Sequence, residues 1–271
     1  MGTSTSSKGP TSSISMDPPW LDDINSDTTT EDFNTHTKKS VTQKPVSVAP
    51  PARFGTARRS LSEFARTGSQ NSFKKAVGHY SQKGMGGAAN VAKRMRVSTS
   101  SVSGLVSFLR DVKSNTLLDI QNWARNLMSK SPTANEVIDA IIDRVTTEGG
   151  IIDEESIKNS MANAMSDLLE QNPNLNLLSL GDDESWDLIE NFLSYEASNR
   201  LQLDIGQLLE RTLSATEMVQ RTDEMREYLK AEISAQLQAY KSSDRHPNID
   251  KLNAVIHQAL ESTFLVFEGE L

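Results

Sequence analysis

The chain has 271 residues and a formal net charge of −8, and its hydrophobic and aromatic fractions are only 36% and 6%. Such low fractions predict that part of the sequence lies outside any core. The chain has no cysteine, which excludes disulfides, thiolate nucleophiles and cysteine-ligated metal centres. It has neither a basic-then-apolar leader nor a run of roughly 20 apolar residues, so we predict a cytoplasmic protein with no membrane segment.

Charge is distributed unevenly along the chain. Residues 53–96 carry 10 Lys or Arg and one acidic residue, whereas residues 97–271 carry 14 Lys or Arg and 29 acidic residues. We therefore predict three parts: an arm rich in Ser, Thr and Pro (residues 1–52), a basic helical segment interrupted by glycines (residues 53–112), and an acidic helical domain (residues 113–271).

The arm contains 18 Ser or Thr and almost no apolar residues, so it is predicted to be disordered. Within it, Pro18-Pro19-Trp20 presents an aromatic side chain on a stiff, extended backbone, as short docking motifs do; a tryptophan retained by chance is the alternative. At its start, Gly2 is small enough for Met1 to be removed, which leaves an α-amine with a pKa of about 7.7 to 8. The first six residues also match a myristoylation pattern, but one acyl chain beside an acidic body is a poor anchor.

The basic segment is predicted to form short helices. Three-residue and four-residue spacings place Leu61, Phe64 and Ala65 on one helical face, and Phe73, Val77 and Tyr80 on another. We expect these helices to be broken at Gly68, at Gly78 and at the run Gly84-Met85-Gly86-Gly87. Residues 97–112 continue with helical character.

Longer amphipathic helices are predicted in the acidic domain, which makes the whole an all-α fold. The first is expected to start at an N-cap formed by Ser131 before Pro132. The acidic run Asp182-Asp183-Glu184 favours another helix start through the macrodipole. Residues 174–180 are predicted to be an extended linker, with a short strand as the alternative. The apolar stripes comprise Val137, Ile138, Ile141, Ile142 and Val145; Ile157, Met161, Met165, Leu168 and Leu169; Trp186, Ile189, Leu193, Leu201, Ile205 and Leu208; Val219, Met225, Leu229, Ile233, Leu237 and Tyr240; and Ile249, Leu252, Ile256, Leu260 and Phe264.

Catalytic and metal-binding patterns are missing from the sequence. The four histidines, His36, His79, His246 and His257, form no pair with metal-ligand spacing, and His79 is expected to be a satisfied structural histidine. The acidic runs at 153–155 and 182–184 match the first turns of helices. The glycine run at 84–87 lacks the Lys-Ser/Thr of a phosphate-binding loop. We predict a protein that is not an enzyme and that has no metal and no cofactor.

Two ligands are consistent with the basic segment. Its cations can neutralise nucleic-acid phosphates while Phe73 and Tyr80 stack on bases, or they can face an acidic protein surface, including the chain's own acidic domain. The large opposite charge next door favours the protein surface, and a nucleic-acid-binding adaptor using residues 53–96 is the alternative. The candidate residues are Arg58, Arg59, Arg66, Lys74, Lys75, Lys93, Arg94 and Arg96.

Several motifs resemble the QatB family of the bacterial Qat anti-phage defence system. They are the Met-Gly-Thr-Ser start, Pro18-Pro19-Trp20, the block from Arg53-Phe54-Gly55 to Thr67-Gly68, Gly78-His79-Tyr80, and the run from Gly84 to Ala89. The resemblance covers about the first hundred residues.

This resemblance implies partners and a modification. Members of the family are encoded beside an ATPase (QatA), a QueC-like enzyme (QatC) and a TatD-like nuclease (QatD). The QueC-like enzyme is expected to attach a 7-deazaguanine group to the N-terminal glycine after Met1 is lost. In this sequence the acceptor is the α-amine of Gly2, and the enzyme would read Thr3 and Ser4. We further expect Pro18, Pro19 and Trp20 to dock on a partner, and the basic and helical parts to act as a scaffold for the ATPase and the nuclease.

Overall fold

The computed structural model describes residues 52–114, 117–146, 152–243 and 248–271. These residues contain helices and no strand, which confirms the predicted all-α fold. The arm over residues 1–51 lies outside the described residues. The α-helices are α1 (Gly55–Thr67), α2 (Gln70–His79), α3 (Ala88–Arg94), α4 (Arg96–Ser114), α5 (Leu118–Met128), α6 (Ala134–Val145), α7 (Ile152–Gln171), α8 (Asp182–Ile205), α9 (Gln207–Thr212), α10 (Ala215–Ser243) and α11 (Ile249–Gly269).

One hydrophobic core connects helices from both ends of the described chain. It extends in sequence from Ala57 to Phe267 and includes residues of every helix from α1 to α11. The C-terminal helix α11 packs against α2, α3, α4 and α10, while α8 packs against α7 and α10. Helices of the basic segment and of the acidic domain therefore stabilise each other. None of the described helices is long and apolar enough to cross a membrane.

Most predicted stripes are confirmed as core faces. Leu61, Phe64 and Ala65 are buried, as are Phe73, Val77 and Tyr80. Met225, Leu229, Ile233 and Leu237 of α10 follow one another at four-residue intervals, and all four are completely buried. Val219 was placed on the same stripe, but its side chain is 61% exposed. Six residues separate it from Met225, a rotation of about 240° around an α-helix, so it points away from the core.

The predicted break at Gly78 is wrong. Helix α2 continues through Gly78 to His79 and runs directly into a π-helix formed by Tyr80–Met85. Gly78 instead marks a close approach, because a Cβ atom at this position would collide with the backbone carbonyl of Phe267 in α11. The break after the π-helix is confirmed: Gly86 and Gly87 have positive φ angles of 79° and 115°, which glycine adopts without strain.

One predicted helix start differs from the structure, and one helix was not predicted. The N-cap of α6 is Thr133 rather than Ser131, and it forms a capping box with Glu136. The sequence Thr-x-x-Glu carries this signature directly, whereas Ser131-Pro132 is only a weaker one. Helix α5 was not predicted. One residue of α5, Ile120, is buried, and Leu118 and Met128 are 69% and 50% exposed, so its sequence lacks a deep apolar stripe.

The end of α7 and the start of α8 lie where the sequence predicts them, whereas the end of α8 does not. Helix α7 ends at Gln171, before Pro173, and α8 begins with the predicted acidic turn. Helix α8 stops at Ile205, so Leu208, predicted on its stripe, lies in α9 and is half-buried. Residues 177–179 form a single 3₁₀ turn, and no strand occurs between 174 and 180.

Candidate interaction surface on the basic segment

Six of the predicted site residues lie outside the described residues. These are the modification acceptor Gly2, the recognition residues Thr3 and Ser4, and the docking motif Pro18, Pro19 and Trp20. All eight predicted cations are described, and they divide into two groups according to whether another described residue binds their side chains.

Asp204 of α8 binds two of these cations, Arg58 and Arg94. The Tyr80 hydroxyl donates to its Oδ2 atom at 2.8 Å, and the Arg94 guanidinium binds its Oδ1 atom at 3.2 Å. The guanidinium of Arg58 donates to the backbone carbonyl of the same residue at 3.0 Å. Burial, followed by the charge of Asp204, raises the pKa of Tyr80, so this hydroxyl remains a hydrogen-bond donor. Arg58 and Arg94 therefore help to join the basic segment to α8.

Phe54 anchors the start of the described helical body. Its ring stacks on that of Tyr80 with centroids 5.5 Å apart and an interplanar angle of 13°. A Cβ atom at Gly84 would collide with the Phe54 ring, so glycine is required for this contact. The Arg58 guanidinium lies 6.0 Å from the ring centroid of Phe54. Phe54, Tyr80 and Gly84, which belong to the sequence motifs, thus pack against one another.

Two further cations are bound within the described chain. Lys74 of α2 pairs with Glu270 at 2.7 Å, next to the C-terminal end of α11. Arg66 pairs with Glu63 at 2.7 Å on the surface of α1. Arg66 is largely exposed, and such a surface pair contributes little to stability. Half of the eight predicted cations therefore have partners among the described residues, and two of them, Lys74 and Arg94, pair with carboxylates of the acidic domain.

The side chains of the other four cations make no hydrogen bond or ion pair with another described residue. They are Arg59, Lys75, Lys93 and Arg96. Lys83, which was not among the predicted residues, shares this property and is exposed. Lys75, His79 and Lys83 lie at four-residue intervals on α2 and the π-helix. Burial lowers the pKa of His79, and the positive charges of Lys83 and Lys75 lower it further.

The aromatic residues of the basic segment are unavailable to a ligand. Phe73 and Tyr80 are 0% and 1% exposed, and both rings pack against aromatic residues of the core. Their predicted stacking on bases is therefore wrong: the spacing that suggested it is the spacing of a core-facing helix. His79 also differs from expectation, because its Nδ1 atom is buried without a hydrogen-bond partner among the described residues.

Acidic side chains in the described ranges form structural contacts rather than a metal site. No group of His, Asp and Glu residues there has the arrangement of a metal centre. The most deeply buried carboxylate, Glu196 of α8, accepts hydrogen bonds from the hydroxyls of Ser98, Ser156 and Ser160 at 2.7, 2.8 and 2.9 Å. These donors belong to α4 and α7, so Glu196 connects three helices.

A shallow groove lies along the first half of α10. Two cavities of about 200 and 500 Å³ share Val219 and Asp223 as lining residues. Leu209 and Met218 contribute apolar surface to the smaller one, and Glu210 lies at its edge. Sequence patterning missed this groove because Val219 was predicted to lie in the core.

The described residues thus form an all-α protein whose basic segment carries cations that pair with its own acidic residues, such as Lys74 with Glu270 and Arg94 with Asp204. The family model of the Qat anti-phage system associated protein QatB matches residues 86–267, about two thirds of the chain. The chain belongs to this family and is a component of the Qat anti-phage system. The match begins at Gly86, after most of the motifs on which the resemblance was based. No curated protein and no solved structure matches the chain significantly.

Proposed function

We propose that the chain is a non-enzymatic component of the Qat system that serves as a protein substrate of the QueC-like enzyme QatC. The observation that carries the proposal is the family match over residues 86–267. Membership in the system supplies the partners, and the residues before the matched region supply the modified end. The proposal places the protein in the cytoplasm with its partners.

The acceptor in this proposal is the α-amine of Gly2 after removal of Met1. An α-amine has a pKa of about 7.7 to 8, so a useful fraction is neutral and nucleophilic near pH 7. The QueC-like enzyme activates the carboxylate of its deazaguanine substrate with ATP. The amine attacks the activated carbonyl carbon, an amide bond forms, the activating group leaves, and the nitrogen loses a proton. No side chain of this protein has to act as acid or base.

Recognition is assigned to short stretches near this end. Thr3 and Ser4 follow the acceptor and would be read inside the channel of the enzyme. Pro18-Pro19-Trp20 would bind outside it, because a stiff backbone loses little entropy when its tryptophan docks. The helical body then acts as carrier and as scaffold for the ATPase QatA and the nuclease QatD. The groove beside α10 supports the scaffold role, since the exposed Val219 lies there next to the carboxylate of Asp223.

A pair of matched substitutions tests the acceptor. Gly2→Leu places a bulky residue after Met1, so we expect Met1 to be retained and both the modification and phage defence to be lost. Gly9→Leu makes the same change elsewhere in the arm and should preserve both. Circular dichroism should show the same helical content in both variants. Full defence by a Gly2→Leu protein that retains Met1 and lacks the added mass would overturn the proposal.

A second pair of substitutions, Trp20→Ala and Phe33→Ala, tests the docking motif. Trp20→Ala should lower the yield of modified protein at limiting enzyme, because the anchor outside the channel is lost. Phe33→Ala removes another aromatic residue of the arm and should leave the yield unchanged. Equal yields for the two variants would show that Trp20 does not dock on the enzyme. Quantitative mass spectrometry of the N-terminal peptide measures the yield.

A further inference from the structure

The groove along the first half of α10 has an apolar floor. The end of α8 and the short helix α9 contribute Gln202, Gly206 and Leu209 to its lining. Met218 and Val219 of α10 add further apolar surface. The Val219 side chain is 61% exposed, although it is large and apolar. Exposed apolar groups that line a groove and have polar neighbours are typical of docking surfaces.

The rim of this groove is acidic. Its two cavities are lined by no lysine or arginine of the described chain but by four carboxylates, those of Glu210, Asp223, Glu224 and Glu227. Glu224 and Glu227 are paired with arginines of α10 at 2.6 and 3.3 Å. The side chains of Glu210 and Asp223 are exposed, and neither makes a hydrogen bond or an ion pair with another described residue. Two negative charges are therefore left for a ligand.

Contacts outside the groove hold the first turns of α10 in place. The Glu217 carboxylate accepts from the backbone N–H of Ser214 at 2.9 Å, and the Ser214 hydroxyl accepts from the backbone N–H of Glu217 at 3.4 Å. Two turns further on, the Nε atom of Arg221 donates to the backbone carbonyl of Ala65 in α1 at 3.2 Å. The groove is thus formed before a ligand arrives, which lowers the entropy cost of binding.

We propose that this groove binds a basic segment of a protein partner. An apolar side chain of the partner packs against Met218 and Val219, while its lysine or arginine side chains face Glu210 and Asp223. An apolar centre with a polar rim is the usual composition of protein interfaces, and complementary charge selects the partner. The same carboxylates repel nucleic acid. The inference rests on the protein having partners in the Qat system, and it does not depend on modification of Gly2.

Site-specific photo-crosslinking in the assembled Qat system tests the partner. Benzoylphenylalanine replaces Val219 in the full chain, which is produced together with QatA, QatC and QatD. Mass spectrometry then identifies the crosslinked peptide. We expect a peptide of a partner chain in which Lys and Arg outnumber Asp and Glu. The same crosslinker at Leu118 of α5, whose side chain is 69% exposed, should not react with that peptide.

Charge reversal tests the two carboxylates. Glu210→Lys/Asp223→Lys should weaken binding of the crosslinked partner by at least about tenfold, because like charges then face each other. Reversal of the basic residues in the partner's segment to Glu should restore the binding. As a control, Asp139→Lys/Asp143→Lys makes the same change at two exposed carboxylates of α6 that have no ion pair with a described residue, and it should leave binding unchanged.

Isothermal titration calorimetry measures these dissociation constants, and thermal unfolding establishes that both double variants are folded. The inference would be overturned by equal weakening in the two double variants, by the lack of any crosslink from position 219 to another protein, or by a crosslink to a segment without excess positive charge. A crosslink to this chain itself, within one copy or between two, would also overturn it. Intact masses of the same samples report modification of Gly2 separately, so failure of either proposal can be recognised.

Discussion

Glycine has two opposite roles in the helices of this protein. In α2, a Cβ atom at Gly78 would collide with the backbone carbonyl of Phe267, so the absence of a side chain permits α2 and α11 to touch. In α4, nothing lies within 4 Å of the position that a Cβ atom would occupy at Gly104. Sequence alone could not separate these cases, because both glycines are surrounded by helix formers and the deciding contact comes from another helix.

These two glycines predict stability changes of opposite sign. Gly104→Ala should raise the free energy of unfolding by about 0.5 to 1 kcal/mol, because alanine is the better helix former. Gly78→Ala has the same intrinsic benefit, but α11 must move, so the net change should be destabilising. Urea denaturation followed by circular dichroism measures both. If both changes stabilised the protein, the close approach at Gly78 would be refuted.

At the scale of helices, apolar spacing predicted the buried faces well. The four-residue intervals from Met225 to Leu237 indicated one face of α10, and the structure confirms it. Errors occurred where a stripe was extended by residues at other spacings, as with Val219. Helix α5 escaped prediction because a helix with one buried residue has no distinct stripe. Its position depends on contacts with other helices, such as the edge-to-face packing of Trp123 on Phe108 in α4.

The capping box of Thr133 and Glu136 stabilises the start of α6. The Thr133 hydroxyl accepts from the backbone N–H of Glu136, and the Glu136 carboxylate accepts from the backbone N–H of Thr133 at 2.7 Å. Thr133→Ala removes the first of these bonds and should cost about 1 kcal/mol in unfolding free energy. Thr133→Ser keeps the hydroxyl and should cost far less. Thermal unfolding compares the two, and equal losses would exclude the hydroxyl as the cause.

Over the whole molecule, the boundary between basic and acidic sequence does not coincide with a boundary between helices. The basic segment was predicted to end at residue 112, but α4 (Arg96–Ser114) crosses this position without interruption. The all-α class followed from the sequence, because each stripe requires partners. Which helices meet did not follow, since the contacts of Asp204 and Glu196 join residues about 40 to 150 positions apart. For the same reason, the sequence identified a basic surface without showing which of its cations are already paired.

Substitution of Glu196 tests whether α4, α7 and α8 unfold as one cooperative unit. Its fully buried carboxylate binds Ser98 of α4 and both Ser156 and Ser160 of α7. Glu196→Ala would leave three hydroxyls without their acceptor, so we expect a loss on the order of 3 kcal/mol in a single transition. Glu210→Ala, at an exposed carboxylate of α9, should change stability by less than about 0.5 kcal/mol. Two separate transitions, or equal effects of the two variants, would contradict a shared core.

We propose that a QueC-like enzyme, QatC, modifies this protein at Gly2. Intact-mass measurement of the chain, produced with QatC and with an inactive form of QatC, tests it most directly. With active QatC we expect loss of Met1 and an added mass equal to one deazaguanine acyl group, located at Gly2 by fragmentation of the N-terminal peptide. With inactive QatC only the loss of Met1 should be seen. Identical masses from the two preparations, under conditions in which the complete system defends against phage, would contradict the claim.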